Sequence, residues 1–138
     1  MLKQDQASHW MGIRLLTVEP GHAIIEMDIR DEMVNGFGMV HGGMTFAFAD
    51  TAFALACNSS DPEELAQSIT VGTGVDINYL APAYRGQTLQ AEATLTHRTG
   101  RTCLVDVTVT CKQKLIAEFR GRGRSITPPA PTTEGHPA

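Results

Sequence analysis

Residues 41–57 read HGGMTFAFADTAFALAC, and this run decides the fold. From Met44 to Cys57 it is built of Met, Phe, Ala, Leu and Cys, interrupted only by Thr45, Asp50 and Thr51, which leaves no polar face for water. A helix apolar all round is a buried one. At about four turns it is too short for a bilayer, which needs roughly twenty apolar residues. The expectation is a helix at the centre of a soluble core.

Gly42 and Gly43 open this helix without side chains, so the free N–H groups of its first turn can closely approach an anion or a polarised carbonyl. Asp50, in the middle, is its single carboxylate, and an ionised acid taken out of water without partners costs several kcal/mol. Something must compensate it. One end of the helix offers donors and its middle offers a base, but the rise from Gly42 to Asp50 is about 12 Å, too far to serve one substrate atom. Two such helices running antiparallel across the two-fold axis of a homodimer would bring the Gly42 amide of one subunit near Asp50 of the other.

Working outward, 138 residues with 42% hydrophobic content fit one globular domain, assigned to residues 1–126. The net charge of −4 and the lack of a long basic run exclude the electrostatic footprint of a nucleic-acid binder. Three cysteines, Cys57, Cys103 and Cys111, are odd in number and form no C-x-x-C pair, which argues against a disulfide framework or a zinc site. They read as small core hydrophobes. Lys3, Gln4, Asp5, Gln6 and His9 interrupt any apolar h-region, so no secretory signal is expected and a cytoplasmic location is.

Residues 2–11 read as a short opening helix with Ala7, Trp10 and Met11 toward one face. Residues 13–18 and 23–29 form a hairpin across the turn composition Glu19-Pro20-Gly21-His22. In its second arm Ile25, Met27 and Ile29 alternate with Glu26, Asp28 and Arg30, the period of a half-buried strand. Residues 31–40 are a glycine-punctuated loop, and the polar residues 58–64 end the central helix. Residues 67–81 read as a long strand with Ile69, Val71, Val75, Ile77 and Tyr79 at odd spacing around Gly72-Thr73-Gly74, a composition that marks a bulge or a close approach. Strands at about 86–99, 102–112 and 115–126 follow, joined by short links that require antiparallel pairing. Residues 127–138, with four prolines, are expected to be a disordered tail. The class is α+β: an antiparallel sheet of five or six strands curled around one helix.

Several site signals are absent. There is no G-x-S-x-G elbow, no Walker loop, no G-x-G-x-x-G after a strand and no histidine pair at metal-ligand spacing. Asp50 is either a buried acid capping a backbone group or pairing with an arginine, or a general base or nucleophile with a raised pKa in an apolar site. Gly42 and Gly43 either pack tightly against the sheet or supply an oxyanion donor. His41 is a structural residue at a helix start or a substrate contact, and Asn35 a turn residue or a holder of a carbonyl or water. Arg120, Arg122 and Arg124 share one face of the last strand, and Arg98 and Arg101 flank a turn. They form either a solvated face or a landing site for phosphates, whose geometry suits arginine.

The strings N-G-F-G-M-V-H-G-G (Asn35 to Gly43) and F-A-D-T-A-F-A-L-A-C-N-S (Phe48 to Ser59), with Asn78-Tyr79-Leu80-Ala81-Pro82 and Phe119-Arg120-Gly121, resemble the hotdog-fold acyl-CoA thioesterases, most closely the PaaI-type enzymes of phenylacetate degradation. The resemblance covers roughly residues 10–126. It implies a sheet wrapped around a central helix, dimers with antiparallel helices, and commonly a homotetramer. It also implies Asp50 as the catalytic carboxylate and the Gly42 N–H as the group that polarises the thioester carbonyl. Asn35 and His41 would support that carbonyl or the water, and Thr51 and Thr73 would position the water. No metal or separate cofactor is implied, because coenzyme A is part of the substrate, and Arg101, Arg120, Arg122 and Arg124 become its phosphate contacts. The favoured substrate is phenylacetyl-CoA or a ring-hydroxylated relative. The acidic link from Ser60 to Gln67 is longer than this subfamily leads one to expect, which bears on the acyl pocket.

Two other readings remain. A hotdog dehydratase acting on hydroxyacyl thioesters would pair a histidine with an acid on the helix, whereas here His41 precedes the helix. A non-enzymatic acyl-CoA-binding regulator would leave Asp50 without a role.

Overall fold

The computed structural model describes residues 4–130, so the end of the expected tail, 131–138, lies outside the described residues. Six strands form a single sheet: β1 (Arg14–Glu19), β2 (His22–Asp28), β3 (Ile69–Tyr79), β4 (Thr88–Thr99), β5 (Thr102–Cys111) and β6 (Lys114–Ile126). Their order is β1-β2-β4-β5-β6-β3 and every pairing is antiparallel. Three α-helices accompany them among the described residues, α1 (Gln6–Met11), α2 (Gly42–Cys57) and α3 (Pro62–Gln67), with one 3-10 turn at Asp31–Met33. The expected α+β architecture is therefore present, with six strands. None of the helices is long and apolar enough to cross a membrane.

The hairpins follow from local chemistry. Lys112 and Gln113 both adopt positive φ, 50° and 70°, the two-residue turn whose twist matches that of the flanking strands. The chain between α2 and β4 behaves differently, because β3 crosses to the far edge and pairs with β6 from Ile69↔Ile126 to Tyr79↔Ala117.

The helix α2 lies on the face of the sheet formed by Ile25 and Met27 of β2, Leu89, Ala91 and Ala93 of β4, Val105, Val107 and Val109 of β5, and Phe119 of β6, all buried. Phe48 and Phe53 are its largest buried side chains, and burying each is worth about 2–3 kcal/mol. Phe53 needs a hollow in the sheet. A Cβ placed on Gly121 would stand 2.5 Å from its ring, and one on Gly123 3.1 Å from it. The Gly121-x-Gly123 spacing is a seat for this ring.

Four expectations are corrected. In α1 the buried residues are Ser8 and Met11, while Ala7 and Trp10 are exposed. Trp10 instead meets the Arg30 guanidinium, 4.8 Å above its ring. In β3 the extra residue at Gly72-Thr73-Gly74 shifts the register, with Gly72 opposite Gly123 and Gly74 opposite Arg122. Facing therefore reverses at the bulge: Thr70 is buried and Gly72 faces Phe53, so Val71 points away from the core, 37% exposed, while Val75 and Ile77 pack on it. The link after α2 is not merely polar chain. Asp61 caps α3 by accepting from Glu63 N at 2.9 Å, with Pro62 at the first helical position and Glu63 and Glu64 in the first turn.

The fourth correction concerns α2. Apolar composition does not bury every face of it in the single chain. Gly43 and Asp50 are exposed and Ala47 and Ala54 half-buried, a stripe at the four-three-four spacing of one helix face.

Candidate active site

The start of α2 is pinned from both sides of His41. The His41 N–H donates to Met33 O at 2.7 Å, and its Nδ1 accepts from Gly43 N at 3.0 Å, which makes the ring the N-cap and assigns its proton to Nε2. The His41 carbonyl accepts from Met44 N at 2.9 Å and from Thr45 N at 3.2 Å. These two bonds polarise the His41–Gly42 peptide unit, whose N–H belongs to Gly42. Among the described residues no acceptor meets that N–H. Of the two glycine amides, one is consumed by the cap and the other is left as a donor.

Gly42 opens on a cleft of about 380 Å³ whose walls include Asn35, Thr45, Tyr79, Leu80 and Pro82. Asn35 uses its side-chain oxygen structurally, accepting from Phe37 N at 2.9 Å and Met39 N at 3.2 Å to close the loop. Its NH₂ has no partner among the described residues, so the oxygen shapes the loop and the nitrogen is left as a donor. Tyr79 is a residue that the sequence reading did not assign to the site. Its hydroxyl donates to Gly42 O at 2.9 Å.

Asp50 is not in this cleft, and it is exposed in the single chain without a hydrogen-bond or ion-pair partner among the described residues. Neither compensation expected for it, a capped backbone group or an arginine, is present. Loss of water around its side of the apolar helix pushes its carboxyl above the ordinary aspartate value. Thr51 Oγ1 donates to Ala47 O at 2.9 Å and Thr73 Oγ1 to Arg122 O at 3.2 Å, so both hydroxyl protons are already committed. Within one chain, then, the structure brings together Gly42, Asn35 and His41, and leaves Asp50, Thr51 and Thr73 apart from them.

The arginines lie on the sheet face opposite α2, since Phe119, Gly121 and Gly123 face the helix and Arg120, Arg122 and Arg124 alternate with them. Two are occupied. Arg120 forks onto Asp106 at 2.7 and 3.2 Å, and Arg122 reaches Asp76 at 3.0 Å. Arg101 and Arg124 make no ion pair among the described residues, and the register sets Arg124 opposite Thr102, beside Arg101. Cys57 is a core residue: burial, with Cys103 nearby, pushes its thiol up to about 12, so it is not a nucleophile at neutral pH.

Residues 37–117 match the family model described as the thioesterase superfamily. The chain belongs to the thioesterase superfamily. The thioesterase is 35% identical over 127 residues to acyl-coenzyme A thioesterase PaaI of Escherichia coli K12, covering 91% of this chain and 86% of the relative. It is 33% identical to human acyl-coenzyme A thioesterase 13, covering 78% of this chain and 76% of the relative. The solved structure of the E. coli PaaI protein, from the phenylacetic acid degradation operon, superposes with a TM-score of 0.84 at 34% identity, over 91% of this chain and 88% of that one. A Streptococcus mutans protein bound to acetyl CoA gives a TM-score of 0.73 at 26% identity, over 83% and 88%. The hotdog fold and the PaaI-type kinship expected from the sequence are borne out, and the chain is a thioester hydrolase.

Proposed function

We propose that this thioesterase hydrolyses phenylacetyl-CoA, or a ring-hydroxylated phenylacetyl-CoA, to the free acid and coenzyme A in phenylacetate catabolism. The observation that carries the reading is an unpartnered, polarised N–H at Gly42 opening on an apolar cleft, on the same helix as a carboxylate that no cation neutralises. The acyl group is drawn from the E. coli relative, whose structure is described as coming from the phenylacetic acid degradation operon.

In this reading the active site is composite. The exposed Gly43–Ala47–Asp50–Ala54 stripe is small enough for a second α2 to approach closely, and an antiparallel partner brings its Asp50 to the Gly42 end of this chain. Asp50 takes a proton from water as the water oxygen attacks the thioester carbon. The oxyanion settles on the Gly42 N–H with the Asn35 amide beside it, and the collapse of the tetrahedral species breaks the C–S bond. The Asp50 proton passes to the departing coenzyme A sulfur. A covalent route through the Asp50 carboxylate gives the same products. Single turnover in ¹⁸O-water tests the covalent route, because a first acid released without label, the label remaining on Asp50 after water attacks the aspartyl carbonyl, arises only from it.

His41 acts in this scheme by holding Gly43, and Thr51 and Thr73 as acceptors of a water proton. Arg101 and Arg124 are the better phosphate contacts for coenzyme A, because Arg120 and Arg122 would first have to release carboxylates. No metal or separate cofactor enters the reaction. The site requires a homodimer, with two dimers joining as a homotetramer, and the substrate puts the enzyme in the cytoplasm. A panel of phenylacetyl, hydroxyphenylacetyl and straight-chain acyl-CoAs, read by free-thiol release, tests the proposal. Aromatic esters should turn over fastest and Asp50→Asn should abolish release. Preference for straight chains would refute the acyl assignment, and silence across the panel with tight binding would favour the regulator.

A further inference from the structure

Tyr79 ends β3 and lies across the start of α2. Its Oη donates to Gly42 O at 2.9 Å, and a Cβ on Gly42 would stand 3.3 Å from the ring carbon Cζ, so the aromatic plane rests directly against the glycine. The strand end carrying it is fixed to the sheet: Tyr79 pairs with Ala117, and the next two amides, Leu80 N and Ala81 N, both donate to Ile116 O at 2.8 and 3.2 Å. At the other end of α2, Asn58 makes the corresponding attachment, its Oδ1 accepting from Thr70 N at 2.8 Å and its Nδ2 donating to Thr70 O at 3.1 Å. A single edge strand therefore clamps both ends of the central helix.

The two clamps differ in what they can be for. Asn58 is half-buried and satisfies its whole amide, as a structural helix stop does. Tyr79 is 54% exposed, so its ring contributes little to the core. The group it touches is the residue whose N–H is the free donor of the cleft. A first helical turn frays readily, because its N–H groups have no partners within the helix. A donor displaced by even an ångström loses most of its value to a transition state.

We propose that Tyr79 is a positioning residue of the thioesterase, its hydroxyl holding the first turn of α2 so that the Gly42 N–H stays aimed at the thioester oxygen. The proposal rests on the hydrolytic reading above, in which that N–H is the oxyanion donor.

Tyr79→Phe keeps the ring and removes only the tether. With the acyl-CoA that the wild type turns over fastest, kcat should fall about tenfold, the equivalent of one hydrogen bond, with KM within twofold. A spectroscopic readout separates positioning from stability. Phenylacetyl-CoA carrying ¹³C at the thioester carbonyl, bound to Asp50→Asn, should show a lowered carbonyl stretch, and in the Asp50→Asn, Tyr79→Phe double variant the stretch should move back toward its value in water. An unchanged kcat, a loss confined to KM, or an unchanged stretch in the double variant would each overturn the proposal. A wild-type enzyme silent on every ester would bring down the hydrolytic reading and the proposal with it, whereas an active wild type matched by Tyr79→Phe brings down the proposal alone.

Discussion

Gly42→Pro isolates the oxyanion donor, because the structure tolerates proline at that position and the chemistry does not. Gly42 is the first residue of α2, where proline's fixed φ suits the helix and its missing N–H removes no internal bond. No acceptor among the described residues meets the Gly42 N–H, so none is orphaned. The preceding residue must be extended, and His41 already is, with φ −63° and ψ 135°. The new Cβ would stand 3.3 Å from the Tyr79 ring, a few tenths of an ångström tight against a half-exposed side chain. The lost freedom of the unfolded chain offsets that crowding, so stability should change by no more than about 1 kcal/mol.

Turnover should change far more. Removing one oxyanion donor typically lowers kcat by about 10²–10³, roughly 3–4 kcal/mol of barrier. The measurement is kcat from free-thiol release beside a denaturation curve, with Gly42→Ala as control, since alanine brings the same Cβ but keeps the N–H. The expected pattern is a folded, nearly inactive proline variant and an alanine variant within a few fold of wild type. A folded Gly42→Pro enzyme with kcat within tenfold of wild type would refute the donor role, and equal losses in both variants would assign the effect to crowding against Tyr79.

Three further outcomes are expected. Mixing Gly42→Pro with Asp50→Asn chains, unfolding and refolding them together, should restore about a quarter of wild-type activity, because half of the dimers are mixed and each carries one intact composite site; no recovery would exclude sites shared between subunits. Asp50→Asn should stabilise the protein at neutral pH. The folded carboxyl titrates above its unfolded value of 3.8, so the penalty of ionising it is absent below about pH 3.8, builds as pH rises through the raised folded value, and is full above it. Melting curves of the two proteins should accordingly converge in acid and separate at neutral pH, and equal stability throughout would contradict the raised pKa. Gly121→Ala should cost about 1–3 kcal/mol in chemical denaturation, since its methyl would sit 2.5 Å from the buried Phe53 ring, and a neutral change would mean that Phe53 can be reseated freely.

The sequence by itself determined the elements whose signals are local. Continuous apolar composition between Gly42 and Cys57 specified the central helix, period-two alternation specified β2 and the arginine face of β6, and turn chemistry specified the hairpins. The short helix α3 carried a local signal that the reading of 58–64 as polar chain passed over, since Asp61-Pro62-Glu63-Glu64 is a cap, a proline at the first position and an acidic first turn. Gly42 and Asp50 could be singled out because glycine and aspartate are anomalous at the head and in the middle of an apolar helix.

Only the tertiary structure decided the rest, because it depends on pairings between distant residues. β3 could have neighboured β4, and its place beside β6 is set by the sheet edge left open once the three consecutive strands β4–β6 have paired. The bulge at Thr73 reverses which side of β3 is core, a parity that alternation alone cannot report across an unpaired residue. Which glycine amide remains free depends on the His41 ring turning onto Gly43. Which arginines remain available depends on Asp76 and Asp106 arriving from two other strands. Tyr79 became part of the site only because β3, 37 residues beyond Gly42, returns along the sheet to the start of the helix. A residue's chemistry is written in the chain, but its neighbours are fixed by packing, and it is the neighbours that select which of its possible roles it takes.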